Sequence, residues 1–62
     1  MPIVHVEMWP GRTREQKADL ARAITDAVVT IAKTTADETT VIFHEISKDD
    51  WARAGTLASE AG

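Results

Sequence analysis

The fold is decided by residues 2–33, PIVHVEMWPGRTREQKADLARAITDAVVTIAK, in which a strand-like hydrophobic period gives way to a helical one. Residues 2–9 alternate between two faces and are rich in β-branched side chains, which predicts a first strand. Its two faces carry Val4, Val6 and Met8 on one side and Ile3, His5, Glu7 and Trp9 on the other. Pro10 and Gly11 then end the strand, because proline donates no hydrogen bond to a sheet and glycine tolerates a tight turn.

A helix is predicted directly after this turn. Thr13 and Gln16 fit a capping box, in which each side chain bonds to the other residue's backbone amide, so the helix should begin near Arg14. It should run to about Lys33, because apolar side chains recur at helical spacing while charged ones lie mostly on the other side. The apolar positions are Leu20, Ile24, Ala27, Val28 and Ile31. One face of this helix needs a sheet to pack against.

A second strand is predicted at residues 39–46, after a polar connection at residues 34–38. Its faces carry Thr40, Ile42, His44 and Ile46 on one side and Val41, Phe43 and Glu45 on the other. Strand, helix and strand in this order make a βαβ unit with parallel strands and a right-handed crossover. We expect the remaining residues, 47–62, to form a turn and short hairpin that packs on neighbours. The fold class is therefore α/β (α+β), in one domain covering residues 1–62.

Size and composition restrict the possible functions. A domain of 62 residues buries only about 60% of its unfolded surface, so a partner subunit is expected to complete its core. The absence of cysteine excludes a disulfide framework and a thiolate zinc site. A net charge of -3 with scattered basic residues argues against nucleic acid as a partner. No apolar run approaches the roughly 20 residues that span a bilayer, so we expect no membrane partner and a cytoplasmic protein.

Pro2 is the first candidate for chemistry, because removal of Met1 would leave its ring nitrogen as a free secondary amine. An ordinary α-amino group has a pKa of about 7.7–8.0, and an apolar site or nearby cations would lower that pKa. Such an amine could act as a general base at neutral pH. The alternative interpretation is an ordinary Met-Pro start without catalytic meaning.

Arg12 and the two tryptophans are candidates for binding a ligand. Arg12 follows the Pro-Gly turn at the end of the first strand, where its guanidinium could bind a carboxylate in bidentate fashion. The simpler alternative is a solvated cation or a surface ion pair. Trp9 and Trp51 are the only tryptophans, and they could form an apolar wall near such a site or pack between subunits.

Four titratable residues lie within the two strands. We assign no catalytic role to His5 or His44, because strand histidines more often meet a packing or hydrogen-bonding need. No further ligands stand at a recognisable spacing, so no metal is expected. Glu7 and Glu45 would lie close enough to act as paired carboxylates if their strands align suitably, and they would otherwise be solvated strand positions.

Several motifs occur together along this chain. They are Pro2-Ile3-Val4 at the N-terminus, and Gly11-Arg12-Thr13 followed by Glu15-Gln16-Lys17. Together they resemble the 4-oxalocrotonate tautomerase family, including the interval between that family's proline and its arginine. The resemblance extends through Lys48, Trp51, Gly55 and Leu57-Ala58-Ser59, and so covers nearly the whole chain.

This resemblance implies a homohexamer, or a related trimer of dimers, in which each dimer forms a four-stranded sheet and Pro2 lies in a pocket shared between subunits. It also implies a cofactor-independent keto-enol tautomerase acting on small 2-hydroxydienoate or 2-oxo acid substrates. The Pro2 amine would move a proton between a dienol oxygen and a carbon. Arg12 would bind a substrate carboxylate and Trp51 would line the pocket.

Two positions depart from the family pattern. Thr40 stands where the family has a second substrate arginine, and Trp51 replaces the usual phenylalanine. The loss of a charge-assisted contact of roughly 1.5–3 kcal/mol would weaken the binding of a dicarboxylate. Arg53, close to Trp51, is a candidate to restore that cation. Two alternatives to tautomerisation remain open: a hydratase or dehalogenase of small unsaturated acids, and a non-catalytic oligomeric homologue.

Overall fold

The computed structural model describes residues 1–61 and consists of a two-stranded parallel sheet, one long helix and a small C-terminal hairpin. In chain order the elements are β1 (Ile3–Met8), α1 (Arg14–Ala32), β2 (Thr40–Glu45), a 3-10 turn (Lys48–Asp50), β3 (Ala52–Arg53) and β4 (Thr56–Leu57). β1 pairs with β2 in parallel, and β3 pairs with β4 in antiparallel fashion. The predicted βαβ unit and C-terminal hairpin are thus confirmed.

The start of α1 is fixed by the predicted capping box. The Gln16 amide donates to the Thr13 hydroxyl at 3.1 Å, and the Thr13 amide donates to Gln16 Oε1 at 2.8 Å. These bonds satisfy two amides that the helix itself leaves without partners. The helix ends at Lys33, which adopts the left-handed conformation with φ 56°. Within residues 1–61 no helix is long and apolar enough to cross a membrane.

The sheet has one face covered by α1 and one face left open. Register pairs Val4 with Val41 and Val6 with Phe43, and these four side chains are partly buried on the helix side. The opposite face, which we call the open face, carries Ile3, His5, Thr40, Ile42 and His44. Ile3 is 52% exposed there. Ile42 is 36% exposed on the same face, so the open face presents two apolar side chains to solvent.

The chain is less compact than a typical monomer of its size. It exposes 4820 Å² of surface, whereas a compact monomer of its 6.8 kDa exposes about 4000 Å². Its radius of gyration is 14.6 Å, against about 10.6 Å for a compact domain of this length. None of the described residues is fully buried. Such dimensions are typical of a subunit that associates with other chains.

Candidate active site

The candidate catalytic residue lies at one end of the sheet. Pro2 directly precedes β1, and its carbonyl accepts a hydrogen bond from the Thr40 amide at 3.1 Å. Pro2 is partly buried, and Thr40 is its neighbour on the adjacent strand. Met1 is attached to Pro2, so the ring nitrogen is here an amide without basic character. A free amine at Pro2 would exist only after Met1 had been removed.

The binding candidates lie at the other end of the sheet. Trp9 and Arg12 follow the carboxyl end of β1, and Trp51 follows the carboxyl end of β2 after the 3-10 turn. The six residues of β1 separate the two ends by about 20 Å, at roughly 3.3 Å per residue. A single chain therefore does not bring Pro2 together with Arg12 and Trp51.

The two tryptophans contact each other edge to face. Their ring centroids are 5.8 Å apart and the planes meet at 75°, a favoured geometry for aromatic pairs. Lys48 Nζ lies 4.7 Å from the centre of the Trp9 ring, within the range of a cation–π contact. No sequence pattern indicates this contact of Lys48, because Lys48 and Trp9 are far apart along the chain.

A groove of about 480 Å³ opens beside this tryptophan pair. It is lined by Trp9, Trp51, Lys48, Arg53, Thr56 and three alanines. Arg12 is not part of its lining. The groove therefore joins an aromatic wall with two cations, Lys48 and Arg53.

Arg12 is exposed in the connection between β1 and α1. Gly11 before it has φ 126°, a conformation that side chains other than glycine rarely adopt. The two ion pairs within residues 1–61 are Lys17–Glu45 and Arg22–Asp19. Arg12 and Arg53 thus have no carboxylate partner in the part of the chain that the structure describes, and both remain available to an anion.

The pairing of Glu7 with Glu45 that the sequence allowed is wrong. Register places Glu7 opposite His44 and Glu45 opposite Met8, so the two carboxylates point to different faces of the sheet. Glu45 lies on the helix side and accepts a hydrogen bond from Lys17 at 3.0 Å. Two carboxylates on opposite faces cannot share a substrate.

The two histidines contact each other on the open face. His5 Nδ1 and His44 Nε2 are 3.3 Å apart, within hydrogen-bonding distance. Residues 1–61 contain no group of three or more histidine or acidic side chains arranged to hold a metal ion. The histidine pair is about half a strand away from both Pro2 and the tryptophans, so it belongs to neither candidate site.

Comparison with known proteins assigns the family. Residues 2–61 match the family model described as tautomerase enzyme. The chain belongs to the tautomerase family. This tautomerase is 40% identical over 60 residues to a probable tautomerase of Ralstonia nicotianae, covering 97% of this chain and 92% of that protein.

This tautomerase is also similar to two further proteins. It is 38% identical over 60 residues to a 2-hydroxymuconate tautomerase of Bacillus subtilis, with 97% of each chain covered. Its fold matches the crystal structure of a heterohexameric 4-oxalocrotonate tautomerase from Chloroflexus aurantiacus with a TM-score of 0.92, at 31% identity and full coverage of both chains. The family resemblance inferred from the motifs is confirmed, and this tautomerase is an enzyme of the isomerase class.

Proposed function

We propose that this tautomerase interconverts the enol and keto forms of small 2-hydroxydienoate or 2-oxo acids without a cofactor. In this proposal the Pro2 amine is the general base, Arg12 binds a substrate carboxylate and Trp51 lines the pocket. The separation of Pro2 from Arg12 and Trp51 by the length of β1 carries the proposal, because it requires a site built from more than one chain. The related 2-hydroxymuconate tautomerase supports the substrate class.

The reaction needs only one group that carries the proton and one cation that binds the substrate carboxylate. The Pro2 amine takes the proton from the hydroxyl oxygen of the dienol, and the electrons move through the conjugated chain to form the carbonyl. The protonated amine then returns the proton to a carbon of the chain, which restores the free amine. Arg12 holds the carboxylate with two parallel hydrogen bonds and stabilises the negative charge that develops during transfer.

We propose further that the active form is a homohexamer in which one chain supplies Pro2 and another supplies Arg12 and Trp51. The open face supports this assembly, since it offers Ile3 and Ile42 to a neighbouring copy. The exposed surface, which is larger than that of a compact monomer, supports it too, as does the lack of a fully buried residue among residues 1–61. The related Chloroflexus enzyme is described as a heterohexamer.

The assembly is expected to depend on the open face. Purified protein should have an oligomeric mass, most simply that of a hexamer, by light scattering at micromolar concentration. Ile42→Asp places a charge on an apolar contact and should shift the mass toward that of smaller species. Ala18→Asp, on an exposed helix position, adds the same charge as a control and should leave the mass unchanged. A monomeric wild-type protein would contradict the shared site.

Complementation tests whether Pro2 and Arg12 act from different chains. Pro2→Ala and Arg12→Ala chains, co-expressed and purified together through two different tags, should form mixed oligomers. If the site is shared, a fraction of the sites pairs an intact Pro2 with an intact Arg12. The mixed oligomers should then be clearly more active on an enol substrate than either variant alone.

The control for complementation is a mixture of the two variants purified separately and combined without subunit exchange. It should show only the sum of the two residual activities. If co-expressed mixed oligomers are no more active than this control, Pro2 and Arg12 act from one chain, and the proposed composite site is wrong.

A further inference from the structure

We propose that Arg53 is a specificity-determining residue, which binds the second carboxylate of a dicarboxylate substrate beside Trp51. This inference rests on the proposed function. It assigns to Arg53 the charge that Thr40 cannot supply. Thr40 lies at the other end of the sheet, next to Pro2.

The backbone holds Arg53 and Trp51 on the same side of the chain. Trp51 is extended, with φ -125° and ψ 111°, and it leads directly into β3, which contains Arg53. In extended chain, residues two apart point to the same side and lie roughly 7 Å apart. Both side chains line the same groove. If Trp51 contacts a substrate, the Arg53 guanidinium is within reach of that same molecule.

The charge of the groove favours an anion. Among residues 1–61, its lining contains two cations, Lys48 and Arg53, and no carboxylate side chain, although the whole chain has ten acidic residues and a net charge of -3. Lys48 is engaged with the Trp9 ring. Arg53 forms neither of the two ion pairs within residues 1–61. Its guanidinium is therefore the cation that is available to a ligand.

The neighbouring tryptophans define the ligand further. An aromatic wall favours a planar, conjugated carbon chain, and it lowers the local polarity, which strengthens a nearby charge-assisted hydrogen bond. A guanidinium matches the two oxygens of a carboxylate better than an ammonium does. The groove is thus suited to the carboxylate end of a conjugated acid, with Arg12 left to hold the other end.

Binding can be measured without turnover, because Trp9 and Trp51 are the only tryptophans and both line the groove. The protein would be titrated with muconate and with sorbate, and the quenching of tryptophan fluorescence would be measured. The two acids share a six-carbon diene chain and differ by one carboxylate. We expect wild-type protein to bind muconate about tenfold or more tightly, as one charge-assisted contact allows. In Arg53→Gln this preference should fall by about tenfold, and Arg53→Lys should retain part of it.

Arg14→Gln is the matched control, since it removes an exposed arginine at the start of α1 and changes the net charge equally. It should leave the muconate-to-sorbate ratio unchanged. The inference would be overturned if Arg53→Gln left the muconate-to-sorbate ratio of affinities unchanged. It would also be overturned if neither acid quenched the fluorescence of the assembled protein because another copy fills the groove. An Arg53-dependent ratio in a trimmed protein without enol-ketone activity would contradict the proposed function and leave the anion site intact.

Discussion

Protein from which Met1 has been removed is expected to tautomerise enol substrates at least about a hundredfold faster than protein that retains Met1. In the untrimmed chain the Pro2 nitrogen is an amide, and its electron pair is delocalised into the carbonyl group. General acid–base catalysis contributes roughly 10²- to 10⁴-fold, and this contribution should be lost. Intact-mass spectrometry gives the trimmed fraction of each preparation, and kcat/KM should rise in proportion to it.

The pH dependence of the trimmed enzyme identifies the base. A base must be unprotonated to accept a proton, so kcat/KM should rise with pH and level off above the pKa of the Pro2 amine. That pKa should lie below the ordinary α-amine range of about 7.7–8.0, because cations from a neighbouring chain would disfavour the protonated form. Pro2→Ala should displace the rising part of the plot of kcat/KM against pH, which we call the ascending limb. Pro10→Ala, which changes the other proline, should leave the ascending limb in place. A limb that Pro2→Ala leaves in place would refute the assignment.

The fold could be predicted from the sequence because its signals are local. The alternation of residues 2–9 and the capping residues Thr13 and Gln16 depend only on neighbours along the chain. The observed strands are one residue shorter at each end than predicted, as expected where terminal residues lose their partners. The edge-to-face contact between Trp9 and Trp51 was not predictable in the same way, since it depends on where two distant loops meet.

The candidate site was predictable only in part, because it depends on strand register and, in the proposed assembly, on other chains. A register that differs by one residue moves a side chain to the opposite face, which is why Glu7 and Glu45 could not be excluded as a pair before the register was known. Pro2 and Arg12 were identified by their residue types, yet β1 holds them at opposite ends. In the proposed assembly another copy supplies the part of the site that lies at the other end of β1. No sequence pattern within one chain indicates which copy this is.

Arg12→Ala is expected to lower kcat/KM for every enol acid by about 10- to 150-fold. The estimate corresponds to a charge-assisted hydrogen bond of roughly 1.5–3 kcal/mol, and each 1.36 kcal/mol is about a factor of ten in rate. Arg12 has no carboxylate partner within residues 1–61, so its removal breaks no ion pair that stabilises the fold. The loss should therefore appear in catalysis and not in the midpoint of thermal unfolding.

The control for this prediction is Arg14→Ala, two residues further along, which removes an equal charge from the first residue of α1. Because Arg14 is exposed and a single solvent-exposed charge interacts only weakly with its surroundings, Arg14→Ala should change kcat/KM by less than about twofold. Raising the salt concentration should weaken substrate binding by the wild type more than by Arg12→Ala, since only the wild type has the charge to be screened. If both arginine variants lose activity equally, the loss comes from a change in the overall electrostatic field of the protein. In that case Arg12 does not bind the carboxylate directly.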